Sequence, residues 1–154
     1  MNSFSAESIA DREIVTTRLF NASLEELFSA FSDPSHLARW WGPAGFTNTF
    51  HEFNLRPGGH WRFVMHGPDG TDYPNDSVFD EVVPLERIVF RHLDSEHEFQ
   101  MTILFADEGG GSRMTWRMLH PTVEKLSRVK SFVADANEQN FDKLETELSR
   151  MAGE

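Results

Sequence analysis

Three ionisable residues share predicted strand faces with large apolar side chains, and they are the first candidates for chemistry. They are His92, His120 and Glu81. A buried imidazole or carboxylate needs a hydrogen-bond partner, and such a group can orient a ligand or move a proton. Each can equally be a rim residue or a buried polar group with a structural partner. We therefore keep all three as candidate ligand contacts and assign no catalytic residue.

Sequence signatures of metal, phosphate and nucleophile chemistry are missing. The seven histidines show neither HxH nor HExxH spacing, and the chain has no cysteine, so no metal site is predicted. The glycine run of DEGGGS, residues 107–112, has no following Lys-Ser or Lys-Thr and is typical of a turn. No Gly-x-Ser-x-Gly elbow occurs. The sequence therefore predicts no cofactor.

The balance of charge limits the possible partners. The 154 residues include 25 acidic and 14 basic side chains, a net charge of −11. Nucleic-acid binding and docking on anionic membrane need clustered Lys and Arg, so neither partner is expected. Residues 1–13 lack the pattern of a signal peptide, and the longest apolar run, at 103–106, is too short to span a membrane. We expect one cytoplasmic domain, 1–154, with a flexible N-terminus at 1–11.

The elements that must position these residues follow from hydrophobic period and turn chemistry. The sequence predicts a strand at 13–21, two short helices at about 23–33 and 34–41, and six further strands. Those strands are predicted at 46–55, 60–66, 77–83, 87–93, 98–106 and 112–120. Short Gly- and Pro-rich connections between them favour antiparallel neighbours.

The last thirty residues have a helical period. Apolar residues recur every three or four positions, and no Gly or Pro interrupts residues 122–152. Such a helix would be roughly 40 Å long, so it needs the sheet to lie across. We predict an α+β fold in which about seven antiparallel strands form a curved sheet around this helix. The two short helices close one end of the space between them.

The predicted inner faces are rich in aromatic and methionine side chains. Such residues adapt to guests in a cavity, and they also form ordinary cores, so both interpretations stay open. The candidate ligand contacts are Trp40, Trp41, Trp61, Phe63, Met65, Phe79, Glu81, Phe90, His92, Met101, Trp116, Met118, His120, Val133 and Asn140.

Two adjacent tryptophans stand at the end of the second short helix. Trp40 and Trp41 are followed at once by Gly42 and Pro43, which turn the chain into the next strand. Burying an indole is worth a few kcal/mol at ~25 cal/mol per Å², so the pair suits the pinning of this corner. We expect one indole to fill the seam between helices and sheet, and the other to form the lip of a cavity. Two core anchors are the alternative.

Several motifs in order resemble one protein family. RWWGPAGFTN, then LRPGGHWRFVMHGPDGTDYPN, then VFDEVVPLERIVF are similar to the bacterial branch of the activator of Hsp90 ATPase homologue 1-like family, within the START/Bet v 1-like (SRPBCC) superfamily. The resemblance covers about residues 13–151 and implies a helix-grip fold with a hydrophobic cavity. Asn54 and the pair Asn140-Phe141 depart from the family pattern.

Three functions are compatible with these features. The first is a binding protein for a small apolar or amphipathic ligand, without catalysis. The second, by analogy within the superfamily, is a polyketide cyclase or aromatase that uses Glu81, His92 or His120 as acid or base. The third is an Hsp90-type co-chaperone or other protein-interaction module, as a monomer or a homodimer. The first is our prediction.

Overall fold

In the computed structural model, which describes residues 8–94 and 96–153, seven strands form one antiparallel sheet. The strands are β1 Glu13–Phe20, β2 Thr47–Phe53, β3 His60–His66, β4 Asp72–Val83, β5 Arg87–His92, β6 Phe99–Asp107 and β7 Ser112–Leu119. The helices are a 3₁₀ turn at Ala10–Arg12, α1 Leu24–Ser32, α2 Pro34–Trp40 and α3 Val123–Ala152.

The strand order is β1-β7-β6-β5-β4-β3-β2. Strands β2 to β7 pair with their neighbours in sequence through short connections, whereas β1 pairs with the last strand, from Glu13 opposite Leu119 to Phe20 opposite Ser112. This arrangement confirms the predicted α+β helix-grip fold, with a long C-terminal helix and two short helices after the first strand.

The two short helices begin at side-chain caps. Ser23 accepts a hydrogen bond from the Glu26 backbone N–H, and the Glu26 carboxylate accepts one from the Ser23 N–H, which lowers the pKa of Glu26. Asp33 ends α1 and caps α2, where its carboxylate accepts from the Ser35 N–H at 2.9 Å. Pro34 occupies the first position of α2, where its fixed φ is favourable.

The long helix α3 packs on the inner face of β1 and β7. The ring of Phe141 lies 5.5 Å from that of Phe20 and 4.8 Å from that of Trp116, both in edge contact. The Asn137 amide donates to the Thr16 hydroxyl at 3.1 Å. Aromatic edge contacts add to the free energy of burial, so they fix the helix against this side of the sheet.

A buried carboxylate joins α2 to α3. Glu147 on α3 is almost fully buried, and its carboxylate contacts His36 Nδ1 at 2.8 Å and Arg150 Nη2 at 2.6 Å. Although burial alone would raise its pKa, the hydrogen bonds from Arg150 and His36 hold the pKa of Glu147 below its ordinary value. The helix pair is therefore held by a charged contact as well as by apolar packing.

The outer face of the sheet is covered by charged pairs that reach solvent. Five arginines contact carboxylates of neighbouring strands or turns: Arg62 with Glu52, Arg87 with Glu81, Arg91 with Asp80, Arg113 with Glu108, and Arg117 with Glu13. Each exposed pair contributes at most about 1 kcal/mol to stability. The face opposite α3 is thus solvated, as expected from an antiparallel sheet with one covered side.

Strand β4 is longer than predicted. It begins at Asp72 instead of residue 77, and Pro74 lies opposite Val64 of β3. Pairing with β5 reaches only as far as Ser77 opposite His92. Since the Leu93 N–H still donates to Asp76 O at 2.8 Å, residues 72–75 have a neighbour on one side only, which is where a strand tolerates proline.

The expected flexible segment, 1–11, is described from residue 8 onward, and residues 1–7 lie outside the described residues. Its described part forms a short turn, in which the Asp11 N–H donates to Ser8 O at 3.2 Å. The turn is fixed to the end of β7 because Arg12 Nη1 donates to His120 O at 3.0 Å and the His120 N–H donates to Arg12 O at 2.8 Å.

Candidate functional site

The tryptophan pair at the end of α2 is buried. The Trp40 indole N–H donates to Ala30 O at 2.8 Å. The Trp40 ring therefore lies between α1 and α2. Trp41 is only 8% exposed, with its ring 4.9 Å from Trp61 and 5.1 Å from Trp116. The expectation that one indole forms the lip of a cavity is therefore wrong, because the rings of β3 and β7 cover it.

The aromatic residues predicted on the inner faces of β3, β4 and β5 contact one another directly. Trp61 is fully buried, with ring centroids of Phe63 at 4.5 Å, Phe90 at 5.5 Å and Phe79 at 6.2 Å. Met101 of β6 lies opposite Phe90 and is also buried. These five side chains pack as a core rather than around an opening.

The candidates on β7 and α3 are buried at the interface between them. Trp116 and Met118 lie on the inner face of β7, and the Asn137 amide donates to Met118 Sδ at 3.3 Å. Val133 and Asn140 of α3 are both buried. Among the described residues, Asn140 Oδ1 has no hydrogen-bond partner. The buried side of α3 therefore carries one amide oxygen whose hydrogen-bonding capacity is unused among the described residues.

Glu81 lies on the outer face of the sheet, and its predicted inward position is wrong. The register shifts at Asp80, so Phe79 pairs with Phe90 while Glu81 pairs with Val89. A β-bulge of this kind reverses the alternation of side chains beyond it. The Glu81 carboxylate instead accepts hydrogen bonds from the exposed Arg87 guanidinium at 2.6 and 2.9 Å.

The two predicted histidines meet a third one that sequence reasoning missed. The His97 ring lies 6.1 Å from His92 and 6.0 Å from His120, and Phe99 stacks on His92 at 5.0 Å. Burial lowers the pKa of all three imidazoles, and the nearby His97 lowers the pKa of His92 and His120 further. We call this group the histidine cluster.

The histidine cluster contains nitrogens that make no hydrogen bond within the described part of the chain. Both ring nitrogens of His120, which is 1% exposed, are unpartnered, and so is Nε2 of His97. No group of three or more His, Asp or Glu in residues 8–94 and 96–153 is arranged to hold a metal ion. The cluster is therefore a set of buried imidazoles that are neutral near pH 7.

An open cleft lies where α3 passes the β3–β4 hairpin. Its volume is about 500 Å³, and its walls are the α2–β2 loop, the hairpin and α3. It is lined by Pro43, Ala44, Phe46, Pro68, Asp69, Tyr73, Phe132, Asp135, Ala136 and Gln139. None of the fifteen candidates predicted from the sequence lines it. We call it the aromatic cleft.

Aromatic side chains from all three walls are exposed at the cleft. Phe132 is 72% exposed and Tyr73 is 45% exposed. The ring centroids of Phe46 and Tyr73 are 5.9 Å apart. In the sequence, Phe132 was the one residue of these three that could have indicated the cleft. It is a large apolar residue that does not follow the helical period of the buried residues of α3. A contiguous exposed apolar surface of this type often marks a binding site.

A glycine and a methionine form the base of the loop wall. Gly42 has φ of 101°, a conformation that other residues adopt only with strain. A Cβ at this position would lie 2.7 Å from Met65 Cε and 3.3 Å from Phe46 Cβ. The close approach explains why the tryptophan pair is followed by glycine, and it places Met65 beside the cleft.

Two side chains of α3 hold the same loop. Lys143 Nζ donates to the carbonyl oxygens of Phe46 at 2.9 Å and of Pro43 at 3.4 Å, and partial burial lowers the pKa of this lysine. Gln139 Oε1 accepts from the Ala44 N–H at 3.1 Å. The loop wall is therefore fixed by hydrogen bonds from the helix rather than by apolar contact alone.

A second cleft, of about 340 Å³, lies beside the start of α1. Its walls are residues 21–26 and the β6–β7 turn, and polar groups dominate. The capping box of Ser23 and Glu26 already satisfies backbone donors there.

Within the described residues, no helix has the length and apolarity needed to cross a membrane.

The sheet, the long helix on its inner face and the two short helices define a helix-grip protein. The sequence profile described as "Activator of Hsp90 ATPase homolog 1-like protein" matches residues 21–149. The chain belongs to this family, which confirms the resemblance found in its WWGP and RPGG motifs. No curated protein matches the chain in sequence.

Solved structures with this fold come from several bacteria. A protein of Nitrosomonas europaea superposes with a TM-score of 0.85 at 19% identity, over 95% of this chain and 99% of its own. A Mycobacterium smegmatis protein gives 0.83 at 23% identity, over 94% and 96%. An AHSA1 protein of Silicibacter pomeroyi gives 0.74 at 21% identity, over 90% and 99%. Identities this low show a shared fold.

Proposed function

We propose that this protein binds a small apolar or amphipathic molecule in the aromatic cleft. The observation that carries the proposal is that three separate elements bring Phe46, Tyr73 and Phe132 to one opening of about 500 Å³. Pockets of roughly 300–1,000 Å³ with apolar walls and a few polar groups are typical of small-molecule sites. A ligand that covers these rings removes apolar surface from water, which favours binding.

The buried candidates predicted from the sequence are a deeper location for the same ligand. Met65 adjoins the cleft, whereas Trp61 and Trp116 belong to the packed core. A ligand that reached those indoles would have to separate rings already in contact, and this costs packing free energy. The cleft needs no such rearrangement, so we prefer it as the primary site.

The test fills the cleft with a side chain. The probe is N-phenyl-1-naphthylamine, an uncharged dye whose fluorescence rises in apolar surroundings, and the parent protein should bind it saturably. In Ala136→Trp, an indole on the helix wall occupies the ligand volume. We expect the dye affinity to fall at least about tenfold.

The matched control is Ser127→Trp. Ser127 is exposed and lies nine residues before Ala136, which at about 100° per residue puts it on the opposite side of α3. This variant should bind the dye as the parent does. Unchanged affinity in a folded Ala136→Trp protein would move the site to the interior, and a parent without saturable binding would reject the proposal.

A protein partner is the second candidate function. The family description points to an Hsp90-type chaperone, and the exposed ring of Phe132 is the kind of residue that anchors a protein contact. In this case, the parent should change the ATPase rate of a purified Hsp90-type chaperone, and Phe132→Ser should abolish the change.

The cyclase alternative has less support, because Glu81, His92 and His120 do not line the cleft.

Location and assembly belong to the same proposal. We place the protein in the cytoplasm, since a chain without cysteine needs no oxidising compartment to fold. Cell fractionation with an antibody tests this, and recovery outside the cytoplasmic fraction would contradict it. Light scattering on the purified protein distinguishes a monomer from a homodimer.

A further inference from the structure

The charge on the walls of the aromatic cleft has one sign. Asp69 lies on the hairpin wall and Asp135 lies on the helix wall. None of the described residues that line the cleft is Lys, Arg or His. The whole chain is also acidic, with a net charge of −11. An anionic guest would therefore meet repulsion at the cleft, and a cationic guest would meet attraction.

Both carboxylates are available to a ligand. Within residues 8–94 and 96–153, the Asp135 carboxylate forms no hydrogen bond or ion pair. Asp69 accepts a hydrogen bond from the Thr71 N–H at 3.0 Å, and this bond keeps the pKa of Asp69 below its ordinary value. Asp69 can therefore face a ligand as an anion near pH 7, and the Asp135 carboxylate lines the same cleft.

The cleft does not neutralise itself with a nearby lysine. Lys143 is held behind the loop wall, where its ammonium group donates to the carbonyl oxygens of Pro43 and Phe46. Moving it into the cleft would break both bonds and remove the ammonium donor from Phe46 O, although Pro43 O would keep the bond from the Phe46 N–H. None of the described residues that line the cleft therefore supplies a positive charge to complement Asp69 and Asp135.

The exposed rings favour the same kind of guest. An ammonium group is attracted to the face of an aromatic ring by the negative charge of the π system. Phe46, Tyr73 and Phe132 provide three rings on the same cleft as the two carboxylates. Apolar area and cation-binding groups are thus combined within one opening.

We propose that the aromatic cleft selects cationic amphiphiles, with an alkyl or aryl body on Phe46, Tyr73 and Phe132 and an ammonium group between Asp69 and Asp135. This inference rests on the proposed function and adds the chemical class of the ligand. It predicts a clear preference among molecules that share one apolar body and differ only in the charge of the head group.

The test uses three probes with the same phenylbutyl body. They are 4-phenylbutylamine, which is a cation at pH 7, 4-phenyl-1-butanol, which is neutral, and 5-phenylpentanoate, which is an anion. Binding is followed by ¹H–¹⁵N NMR shifts of cleft residues. We expect the amine to bind about tenfold more tightly than the alcohol, and the pentanoate to bind weakest.

A charge-removing variant assigns the preference to the cleft. The double variant Asp69→Asn and Asp135→Asn should bind the amine about fivefold to tenfold more weakly and leave the alcohol affinity within about twofold. The control, Asp11→Asn with Glu86→Gln, removes the same number of negative charges from exposed positions outside the cleft. It should keep the preference for the amine.

The possible results distinguish a failure of the cation preference from a failure of the proposed ligand-binding function. Equal binding of the amine and the alcohol would overturn the cation preference and leave the proposed ligand site intact. An equal loss of amine affinity in both double variants would assign the preference to net charge, which also overturns the inference. Failure of all three probes together with the neutral dye would reject the proposed function itself.

Discussion

The packed core and the aromatic cleft use the same kind of side chain in opposite ways. In the core, Trp41, Trp61 and Trp116 are covered by other rings at centroid distances of about 5 to 6 Å. In the cleft, Tyr73 and Phe132 remain largely in water. Aromatic content therefore predicts where apolar surface is concentrated, and it does not predict whether that surface is open.

The difference arises from what α3 presents to each region. Over β1 and β7 it presents Phe141 and Leu144, which fill the space down to the sheet. Beside the hairpin it presents Ala136 and Gln139, together with Phe132, which points away from the buried stripe. The small side chain of Ala136 leaves the space that larger residues fill elsewhere. The openness of the cleft thus depends on small residues that face it.

The largest test of this comparison removes one ring from each region. Trp61→Ala should lower the free energy of unfolding by about 3–5 kcal/mol, because a fully buried indole leaves a cavity in a packed core. Phe132→Ala should change it by no more than about 0.5 kcal/mol, since its ring is exposed. Urea unfolding followed by circular dichroism measures both.

A small cost for Trp61→Ala would break the comparison. A loss below about 1 kcal/mol would mean that the core around β3 has free space, because large core truncations cost more than this wherever packing is tight. The interior candidates would then regain priority as the ligand site.

The second test uses pH, because the core holds buried bases and the cleft holds exposed acids. Burial lowers the pKa of His92, His97 and His120 in the folded state. The unfolded chain therefore takes up protons first as the pH falls below about 6.5, and stability is lost from there down to the folded pKa values. Between pH 7 and pH 6 each group contributes at most about 0.7 kcal/mol, or about 2 kcal/mol for the cluster.

His97→Gln is the variant that examines this dependence. It removes one titrating group and also the neighbour whose charge lowers the pKa of His92 and His120. The part of the difference in unfolding free energy between pH 7 and pH 6 that comes from the cluster should shrink by more than a third. Exposed His51→Gln is the control and should keep the parent difference. Equal slopes in the two variants would contradict a role for the cluster.

The fold was predictable from the sequence because its signals are local. Helical period defined α3, capping residues such as Ser23 and Asp33 marked the short helices, and turn residues separated the strands. The site was not predictable in the same way. A bulge at Asp80 reversed the side of Glu81 without any change in the alternation of residue types.

The cleft and the histidine cluster both depend on distant segments that meet. Ala136 is unremarkable in a helix until the hairpin around Tyr73 lies opposite it. His97 stands in a turn, and only the end of β7 brings it beside His120. A one-dimensional pattern records neither contact, so the sequence identified the rings and assigned them to a cavity that they instead fill.

The last test concerns the boundary between the two regions, at Gly42. Gly42→Ala and Gly70→Ala both place a side chain at positive φ, with φ of 101° and 88°, at a cost of about 1–2 kcal/mol each. At Gly70 a Cβ would enter open space, whereas at Gly42 it would lie 2.7 Å from Met65 Cε. We therefore expect Gly42→Ala to cost about 1 kcal/mol more in unfolding free energy.

That difference measures how tightly Met65 is packed beside the cleft. If Met65 is held as firmly as the core residues, the extra cost should appear in urea unfolding. If the two variants agree within about 0.3 kcal/mol, the side chain of Met65 moves aside at little cost. In that case the packed core ends below Met65, and a ligand in the cleft could extend down to this methionine.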